Sequence, residues 1–341
     1  MKKLVGTSVV GASGYSGAEL LRFLLRHRGA RIDRLFANAS AGKTLADLYP
    51  DFRGRLEKTF EPYSLEAALE SDCVFLALPS GEAMTIAPKL IERGKTVIDL
   101  GGDFRLRDVA QYEKFYKRKH AAPNLLPLAV YGLAEWNAEK IKSAKLVANP
   151  GCYPTSALLP LLPLLKERLI EPTNIVIVAM SGVSGAGRKA DIDLSFAEVS
   201  DSVKAYRVGE HQHLPEIKQT LEDLTGQKVS LSFVPHLIPT TRGIYATIHA
   251  TLAQGATSEK IFAAFERYYR EKPFVRYLRD RIPELKGVLR LNFCDIGFRT
   301  FDETNQLILC SAIDNLVKGA AGQAVQNFNL IFGFDETESL P

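Results

Sequence analysis

The sequence predicts an α/β chain of two domains, a parallel βαβ domain followed by an α+β domain whose sheet is mostly antiparallel. In the first half, short β-type runs alternate with helical patterns, which is typical of parallel βαβ units. In the second half, long strand-type runs cluster and few helices interrupt them. The length of 341 residues also exceeds one core of ordinary size. We therefore expect a domain over residues 1–150, a second over 151–314 and a C-terminal helix within 315–341.

The first half contains the elements of a parallel sheet. Cys73–Leu78 is a continuous apolar run, as expected of a strand buried on both faces. Helical patterns end near Arg26 after the first strand, and extend over Gly81–Arg93. Strands are predicted over Val5–Val10, Ile32–Ala37, Cys73–Leu78, Thr96–Leu100 and Leu146–Ala148.

The second half has longer strands and three clear helices. The helices are predicted over Ser156–Arg168, Glu259–Arg270 and Leu316–Leu330, and the acidic tail from Asp335 to Pro341 is expected to fray. Strands are predicted over Asn174–Met180, Val229–Val234, Gly243–Leu252, Val288–Phe298 and Gln306–Ala312.

Composition and charge exclude several classes of partner. The net charge of +4 and the isoelectric point of 8.7 come without any basic run long enough to follow a nucleic-acid backbone. The most apolar run, Ala157–Leu165, contains two prolines and is far shorter than the ~20 residues of a membrane-spanning helix. The four cysteines form no CxxC pair, so neither a disulfide framework nor a zinc site is expected. We expect a cytoplasmic protein that binds a small molecule, with no nucleic-acid, membrane or metal partner.

A glycine-rich loop lies between the first predicted strand and helix. Its spacing is Gly-x-x-Gly-x-x-Gly, where glycines allow a tight turn and close approach of backbone N–H groups to a pyrophosphate. The position after the first strand of a βαβ series favours a dinucleotide over an ordinary turn. The predicted cofactor contacts in this loop are Gly11, Ser13, Gly14, Tyr15, Ser16 and Gly17.

The end of the second strand favours NADP over NAD. An NAD site usually places Asp or Glu there to bind the ribose 2′-hydroxyl, but residues 37–43 contain no acid. Ser40 and Lys43 are instead suited to a 2′-phosphate. Gly42-Lys43-Thr44 resembles the end of a P-loop, but that motif requires glycine where the chain has Ala37. NADPH/NADP is therefore the predicted cofactor.

Cys152 is the strongest candidate nucleophile. A strand is predicted to end near Ala148 and a helix to begin near Pro154, so Cys152 lies at a helix N-terminus, which favours the thiolate. The alternative is a buried cysteine that acts as a small hydrophobe, and we assign that role to the three others. These are Cys73, Cys294 and Cys310.

A polar cluster offers a proton-transfer partner. Arg207, His211 and His213 lie in a short segment that leads into a helix. Two histidines at i and i+2 also resemble part of a zinc site, but no third ligand with recognisable spacing accompanies them. His236, at a strand end, is interpreted as a structural histidine.

These motifs together resemble N-acetyl-γ-glutamyl-phosphate reductase, a family of NADPH-dependent enzymes of arginine biosynthesis. Two departures concern local cofactor contacts: Ser80 replaces a common histidine and Gly101 a common serine. The resemblance implies a Rossmann domain and an α+β catalytic domain like those of aspartate-semialdehyde dehydrogenase. The matching stretches are Gly11–Gly17, Asp99–Leu106, Asn149–Ser156, Ser181–Arg188, Gly209–Glu216, Phe233–Ile244 and Ile313–Asn327.

The resemblance also implies roles for single residues. Cys152 matches the nucleophile and His211 the acid/base, with His213 in support, although the two histidines could be reversed. Asn315 matches a position beside the nicotinamide, so the final helix would pack on the first domain. Arg105 and Arg207 match the cations that bind the acyl phosphate and the substrate carboxylate; the alternative for each is an ordinary ion pair. The family further implies a homodimer or homotetramer.

The implied reaction is the reduction of N-acetyl-L-glutamyl 5-phosphate to the 5-semialdehyde through a cysteine thioester. A close alternative is the homologous aminoadipyl-phosphate reductase of amino-carrier lysine biosynthesis, since one methylene is worth only ~1–3 kcal/mol in a pocket. An alternative of another class is a non-catalytic NADP-binding redox sensor with Cys152 as the oxidisable thiol.

Overall fold

The computed structural model describes residues 4–188 and 190–341, and these residues divide into two compact units. The first unit contains the described residues up to Gly151 together with Ala320–Pro341, and the second is Cys152–Gly319. The fold class predicted from the sequence is confirmed, because the first unit holds a parallel sheet and the second a mostly antiparallel one.

The first unit is built on a six-stranded sheet within the described residues. Its order is β2-β1-β3-β4-β6-β5, and each neighbouring pair is parallel. The strands are β1 (Val5–Val10), β2 (Ala30–Phe36), β3 (Cys73–Leu76), β4 (Thr96–Asp99), β5 (Ala129–Tyr131) and β6 (Leu146–Ala148). The helices are α1 (Tyr15–Leu24), α2 (Leu45–Leu48), α3 (Leu65–Ala68), α4 (Ala83–Glu92), α5 (Val109–Tyr116) and α6 (Ala134–Lys142).

Apolar side chains explain why these strands lie at the centre. All four residues of β3 and of β4 are buried, as the continuous apolar runs predicted. Val74 and Leu76 of β3 pack with Val97 of β4 and with Ala87 and Leu90 of α4 in one hydrophobic cluster. Because these strands are parallel, the carboxyl ends of β1, β2, β3, β4 and β6 meet at one edge of the sheet. Ligands bind at this edge in open α/β folds.

The second unit is built on a seven-stranded sheet within the described residues. Its order is β11-β12-β13-β10-β7-β9-β8, with parallel pairing only between β11 and β12 and between β7 and β9. The strands are β7 (Ile175–Ser181), β8 (Lys204–Ala205), β9 (Leu231–Leu237), β10 (Ile244–Thr251), β11 (Val275–Tyr277), β12 (Cys294–Phe301) and β13 (Gln306–Ile313). The helices are α7 (Cys152–Lys166), α8 (Phe196–Val199), α9 (His213–Thr225) and α10 (Ser258–Tyr269).

Helix α7 covers one face of this sheet. Every residue from Tyr153 to Leu165 is buried, and the helix contacts β10 and β13 as well as α9 and α10. A helix that is apolar on all sides must be enclosed by other elements, and α9 and α10 enclose α7 here.

The C-terminal helix α11 (Gly322–Phe332) returns to the first unit, where it contacts α1, α6 and β4. The expected fraying of the acidic tail is wrong. Arg28 pairs with Glu338 (Nη2–Oε2 2.6 Å), and the Asn329 amide donates to the carbonyl oxygens of Glu336 and Glu338. The tail is therefore attached to both α11 and the end of α1.

One predicted strand begins later than expected. The pattern predicts a strand from Val288, but β12 begins at Cys294. Arg290 adopts a left-handed conformation (φ 66°), and its backbone N–H donates to Asp314 (2.7 Å) instead of to a strand. A distant carboxylate thus overrides the local apolar pattern.

Candidate active site

The glycine loop between β1 and α1 is closed too tightly for side chains at two positions. Gly11 has a φ of 83°, and a Cβ there would lie 2.2 Å from the carbonyl oxygen of Ala77. A Cβ on Gly17 would lie 2.6 Å from the carbonyl oxygen of Gly11. The glycines at these two positions are therefore required by close backbone contacts.

The N-terminus of α1 carries no competing group. Gly14 is the N-cap residue, no side chain caps the helix, and its first turn contains no acid. The hydroxyl of Tyr49 donates to the carbonyl oxygen of Ser13 (2.9 Å) and fixes the loop from behind. Because first-turn N–H groups have no partner within a helix, this end is suited to an anion. Ser16 and Tyr15 lie in that turn.

The segment after β2 folds into turns that end at Lys43. The N–H of Ser40 donates to Ala37 and the N–H of Lys43 donates to Ser40, which forms two successive turns. The Lys43 side chain is exposed, and no carboxylate lies within residues 37–43.

Arg105 is buried at the carboxyl ends of β4 and β6. Its Nε donates to the carbonyl oxygen of Asn149 (2.8 Å) and its Nη2 to that of Leu100 (2.9 Å). The guanidinium therefore joins two loops at this edge of the first unit.

Asp99 and Gly101 lie beside Arg105, and Gly101 is one of the two departures from the expected motifs. The N–H of Gly101 donates to Asp99 Oδ1 (2.8 Å), and a Cβ on Gly101 would lie only 3.0 Å from the same oxygen. Burial, with the nearby Asp103, raises the pKa of Asp99 to about 7. The second departure, Ser80, accepts a hydrogen bond from Arg118 through its carbonyl oxygen.

Cys152 is the first residue of α7, two residues before the predicted helix start. It is partly exposed, whereas Cys73, Cys294 and Cys310 are buried within strands. Helix N-termini stabilise negative charge, so the thiolate of Cys152 is favoured by its position.

A turn near residue 319 approaches Cys152 closely. A Cβ on Gly319 would lie 2.8 Å from the Cβ of Cys152, so only glycine allows this contact. Gly319 belongs to a π-helical turn, Val317–Ala321. The N–H groups of Val317 and of the preceding Leu316 donate to the buried carboxylate of Asp314. Arg242 pairs with the same carboxylate (Nε–Oδ2 3.0 Å). Arg242 and Asp314 thus position the turn that contacts the cysteine.

Cys152 opens into a cleft of about 560 Å³ within the second unit. Residues of β7, β8 and β9, the loop after β7 and the start of α9 form its wall. The lining residues are Cys152, Tyr153, Ser181, Gly182, Gly185, Ala186, Asp191, Asp193, Leu194, Lys204, Tyr206, Arg207, His211, Gln212, His213 and Leu237.

The cleft brings together Cys152 with both predicted histidines. His211 is 4% exposed, and its Nδ1 accepts a hydrogen bond from the backbone N–H of His213 (3.1 Å). With Nδ1 as the acceptor, the neutral ring carries its proton on Nε2. Burial, with a smaller contribution from Arg207, lowers the pKa of His211 to about 3. His211 is therefore neutral and a donor at Nε2.

Two tyrosines that the sequence reasoning missed shape this cleft. The hydroxyls of Tyr153 and Tyr206 lie 3.0 Å apart, and that of Tyr153 also donates to the carbonyl oxygen of His236 (3.3 Å). Both rings contact the edge of His211, with centroids 5.6 Å away. Burial raises the pKa of Tyr206 to about 12. Tyr153 follows Cys152 directly, which was the available signal, whereas nothing local indicated Tyr206.

The two remaining predicted residues differ in exposure. Arg207 is exposed at the cleft, and its Nη1 donates to Gln212 (3.1 Å). Asn315 is buried in the second unit, where its Oδ1 accepts from the N–H of Gly243 (2.7 Å) and its Nδ2 donates to Ser184 (3.0 Å). The Asn315 amide therefore connects three segments of that unit.

Neither a metal cluster nor a membrane span occurs in the part of the chain that the structure describes. Over residues 4–188 and 190–341, no three His, Cys, Asp or Glu side chains are grouped as metal ligands. Within the same ranges, each helix is too short or too polar to cross a bilayer.

Comparison with known proteins identifies the family. The family model "Semialdehyde dehydrogenase, NAD binding domain" matches residues 6–144, and "Semialdehyde dehydrogenase, dimerisation domain" matches residues 152–315. N-acetyl-gamma-glutamyl-phosphate reductase of Pelotomaculum thermopropionicum is 49% identical over 98% of this chain and 97% of the relative. The protein of the same name from Akkermansia muciniphila is 48% identical over 99% of both chains. This chain belongs to the N-acetyl-gamma-glutamyl-phosphate reductase family. The resemblance inferred from the motifs is confirmed.

Solved structures show the same fold at low identity. Aspartate semialdehyde dehydrogenase II of Vibrio cholerae, complexed with ASA, has a TM-score of 0.74 at 17% identity, covering 97% of this chain and 99% of that one. Aspartate semialdehyde dehydrogenase of Candida albicans with NADP has a TM-score of 0.69 at 18% identity, with the same coverage.

Proposed function

We propose that this protein reduces N-acetyl-L-glutamyl 5-phosphate to N-acetyl-L-glutamate 5-semialdehyde and phosphate, using NADPH, in arginine biosynthesis. The names of relatives that match nearly the whole chain support this substrate. The observation that carries the chemistry is the position of Cys152, a partly exposed cysteine at the start of α7 in a cleft that also holds two histidines.

In this proposal Cys152 is the nucleophile. Its thiolate attacks the acyl carbon, the C–O bond to phosphate breaks, and phosphate leaves with that electron pair. The product on the enzyme is a thioester, which splits one difficult step into two easier ones. The N-terminus of α7 stabilises the attacking thiolate and, through its N–H groups, the oxyanion formed on attack.

We propose that His211 acts as a hydrogen-bond donor. Its Nδ1 is engaged by the N–H of His213, so Nε2 carries a proton and has no lone pair with which to accept one. A neutral Nε2–H donor stabilises the acyl oxygen as negative charge develops there. Proton transfer then falls to His213, which lines the same cleft. These roles reverse those implied by the resemblance.

The two arginines are assigned by their exposure. Arg207 is exposed at the cleft and carries a charge that attracts the anionic substrate. Arg105 already donates to two backbone carbonyl oxygens and is assigned to holding the loops at the ends of β4 and β6. In this proposal Arg207 binds either the phosphate group or the carboxylate of the substrate.

The glycine loop supports a dinucleotide as the cofactor. Gly11 and Gly17 leave no space for a Cβ, and the N-terminus of α1 is open to a pyrophosphate. Ser40 and Lys43, with no acid nearby, favour a 2′-phosphate and hence NADP. When bound, NADPH supplies the hydride that takes the acyl carbon to the aldehyde level. The buried amide of Asn315 would hold the loop containing Ser184 on the substrate side.

The proposal extends to assembly and organisation. The family model that covers residues 152–315 supports self-association through the second unit, as a homodimer or homotetramer. Residues 1–150 and the C-terminal helix would hold the cofactor, residues 151–314 the substrate, and the cytoplasm is the proposed compartment.

The reverse reaction tests the substrate. We expect purified protein to reduce NADP⁺ with N-acetylglutamate 5-semialdehyde only when phosphate is added. The homologous aminoadipate-derived semialdehyde on its amino carrier is the matched alternative, and the names of the relatives do not favour it. Preference for that substrate would replace the proposed one. A redox sensor would bind NADPH without any phosphate-dependent turnover, and that result would contradict the enzyme assignment.

A further inference from the structure

Asn149 is a fully buried residue that lies just before Cys152 in the chain, with only two residues between them. Its backbone N–H donates to the carbonyl oxygen of Asp99 (2.8 Å), and its own carbonyl oxygen accepts from Arg105 Nε (2.8 Å). Both backbone groups of Asn149 are therefore held at the carboxyl edge of the parallel sheet. The chain that leads to the nucleophile is anchored immediately before it.

The side-chain amide of Asn149 joins that segment to a second one. Its Nδ2 donates to the carbonyl oxygen of Ala320 (3.1 Å). Ala320 directly follows Gly319, whose close approach to Cys152 leaves no space for a Cβ. One buried amide thus connects the segment that carries the nucleophile with the segment that packs against the nucleophile.

Asn327 of α11 fixes the orientation of the Asn149 amide. Its Nδ2 donates to Asn149 Oδ1 (3.1 Å) and also to the carbonyl oxygen of Gly132 (2.9 Å). Because Oδ1 of Asn149 is the acceptor in this contact, its NH2 group is directed to Ala320. Asn327 is fully buried as well, so water does not compete for these hydrogen bonds.

Gln323, one turn earlier on α11, is closely matched to Asn327. It is fully buried, and its Nε2 donates to the same carbonyl oxygen of Gly132 (2.9 Å). Its Oε1 and the Oδ1 of Asn327 are alike in having no hydrogen-bond partner among the described residues. The two amides therefore share the attachment of α11 to residue 132, and Asn327 alone of the two donates to Asn149.

We propose that Asn327 and Asn149 are positioning residues for the nucleophile: Asn327 orients the Asn149 amide, and that amide holds Cys152 in place at the N-terminus of α7. Release of the amide lets the segment before Cys152 shift, and a displacement of about 1 Å can cost about 10²-fold in rate. The stabilisation of a thiolate by a helix N-terminus also falls off within one turn. The effect on turnover rests on the proposed function, whereas the effect on the reactivity of the thiol does not.

The test compares Asn327→Leu with Gln323→Met in the full chain. Each change replaces a buried amide by an apolar side chain of similar size and removes one hydrogen bond to Gly132. Thermal unfolding first establishes the temperatures at which both variants are folded. Alkylation by iodoacetamide over a pH series, with the modified cysteine identified by peptide mapping, then measures the reactivity of Cys152 without any substrate.

We expect Asn327→Leu to lower the alkylation rate constant of Cys152 by at least about tenfold. The pKa of the thiol, read from the pH profile, should rise toward the ~8.5 of a free cysteine. The kcat for the proposed substrate should fall by a similar factor, while KM and NADPH affinity stay within about twofold. Gln323→Met should leave all of these quantities within about twofold of the wild type.

Asn149→Asp is a second variant that leaves α11 unchanged and carries the test if Asn327→Leu does not fold. It replaces the NH2 group by an oxygen, so the acceptor for Asn327 stays and the donor to Ala320 is lost. We expect the same loss of alkylation rate and the same rise in the pKa of the Cys152 thiol.

Two results would overturn the proposal. Unchanged reactivity of Cys152 in folded Asn327→Leu or Asn149→Asp would mean that the amide does not position the nucleophile. Equal losses in Asn327→Leu and Gln323→Met would mean that the attachment of α11 to residue 132 is what matters. A wild-type chain without turnover that still shows the expected differences in alkylation would refute the proposed function and leave this inference standing.

Discussion

Helices α1 and α7 each follow a parallel strand, and their N-termini differ in what surrounds them. Helix α1 follows β1, and its N-terminus is enclosed by its own glycine loop and by the end of β2. Helix α7 follows β6, and the cysteine at its start is enclosed by residues within 181–186 and 191–213 and by Gly319. The N-terminus of α1 offers mainly backbone N–H groups, whereas the N-terminus of α7 also faces side chains from distant segments.

The difference has a physical origin. A pyrophosphate is bound by a helix N-terminus and by close backbone approach, both of which a short glycine motif provides. A nucleophile needs hydrogen-bond donors and an enclosing cleft around the reacting atoms. Those groups come from segments that are distant in sequence. Substitutions in the two regions should therefore separate cofactor binding from chemistry.

Cys152→Ser should separate cofactor binding from chemistry most strongly. A serine hydroxyl at this position is a far weaker nucleophile than a thiolate, so we expect turnover to fall by at least about 10³-fold. NADPH affinity should stay within about twofold, because the glycine loop is untouched. Steady-state kinetics and NADPH fluorescence titration measure the two quantities. Substantial residual turnover would argue against the covalent route.

Gly319→Ala should slow the chemical step, although residue 319 carries no reacting group. The added methyl would meet the Cβ of Cys152 at 2.8 Å, so the cysteine or the π-helical turn must shift. A displacement of about 1 Å can cost about 10²-fold in rate. We expect slower alkylation of Cys152 by iodoacetamide and lower kcat, with NADPH affinity unchanged.

The matched control for this variant is Gly287→Ala. A Cβ at position 287 meets Asp295 at 3.6 Å, an ordinary contact, and should leave both rates as in the wild type. Equal loss in the two variants would show a general effect on the second unit instead of a specific one on Cys152.

Gly17→Ala should weaken cofactor binding and leave the reactivity of Cys152 unchanged. A Cβ 2.6 Å from the carbonyl oxygen of Gly11 forces the loop open, so NADPH affinity should fall by at least about tenfold. The alkylation rate of Cys152 in the absence of cofactor should stay the same. Gly287→Ala is again the control, since its Cβ lies outside the glycine loop and would meet Asp295 at an ordinary 3.6 Å. Unchanged NADPH affinity in Gly17→Ala would remove the glycine loop from the cofactor site.

His211 should remain neutral over the physiological range. Its pKa, lowered to about 3 by burial, lies below the ordinary 6.5, so the unfolded chain takes up a proton first as the pH falls. The free energy of unfolding should therefore fall between pH 6.5 and 3, by on the order of 1–2 kcal/mol at pH 5. His211→Gln should lose this part of the pH dependence. Histidine NMR signals assigned with that variant test the point directly, and a ring that titrates between pH 5 and 8 contradicts it.

Glu338→Gln should have the smallest effect. Its carboxylate pairs with Arg28 just beyond α1, and this hydrogen-bonded pair lowers the pKa of Glu338 to about 2. The pair stabilises the fold above pH 4.5 and loses its contribution as the pH falls toward 2. Because Arg28 is exposed and surface ion pairs contribute little, we expect only a small loss in the free energy of unfolding at pH 7, measured by urea unfolding. An equal loss in Glu271→Gln, at an exposed position, would mean that the pair contributes nothing specific.

The sequence predicted best what depends on neighbours in the chain. Val5–Val10 and Leu146–Ala148 have the predicted bounds, because apolar runs between turns specify buried strands locally. Cys152 was found from the strand and helix on either side of it. The predicted start of β12 at Val288 was wrong, because the Asp314 carboxylate, distant in sequence, binds the N–H of Arg290.

The walls of the cysteine cleft could not be predicted in the same way. Tyr206 and Gly319 acquire their importance only when the chain folds around residue 152. The tautomer of His211 depends on one backbone N–H two residues later, which composition and spacing do not indicate. The attachment of the tail by Arg28 is likewise a tertiary contact between ordinary charged residues.

The most direct test of the cysteine chemistry is to incubate the protein with N-acetylglutamyl phosphate and no NADPH, quench with acid and determine the mass. We expect one acetylglutamyl group per chain, located on Cys152 by peptide mapping, with one phosphate released for each. Addition of NADPH before the quench should remove the group as semialdehyde forms. Turnover with no acylated Cys152, or acylation at another residue, would contradict the account.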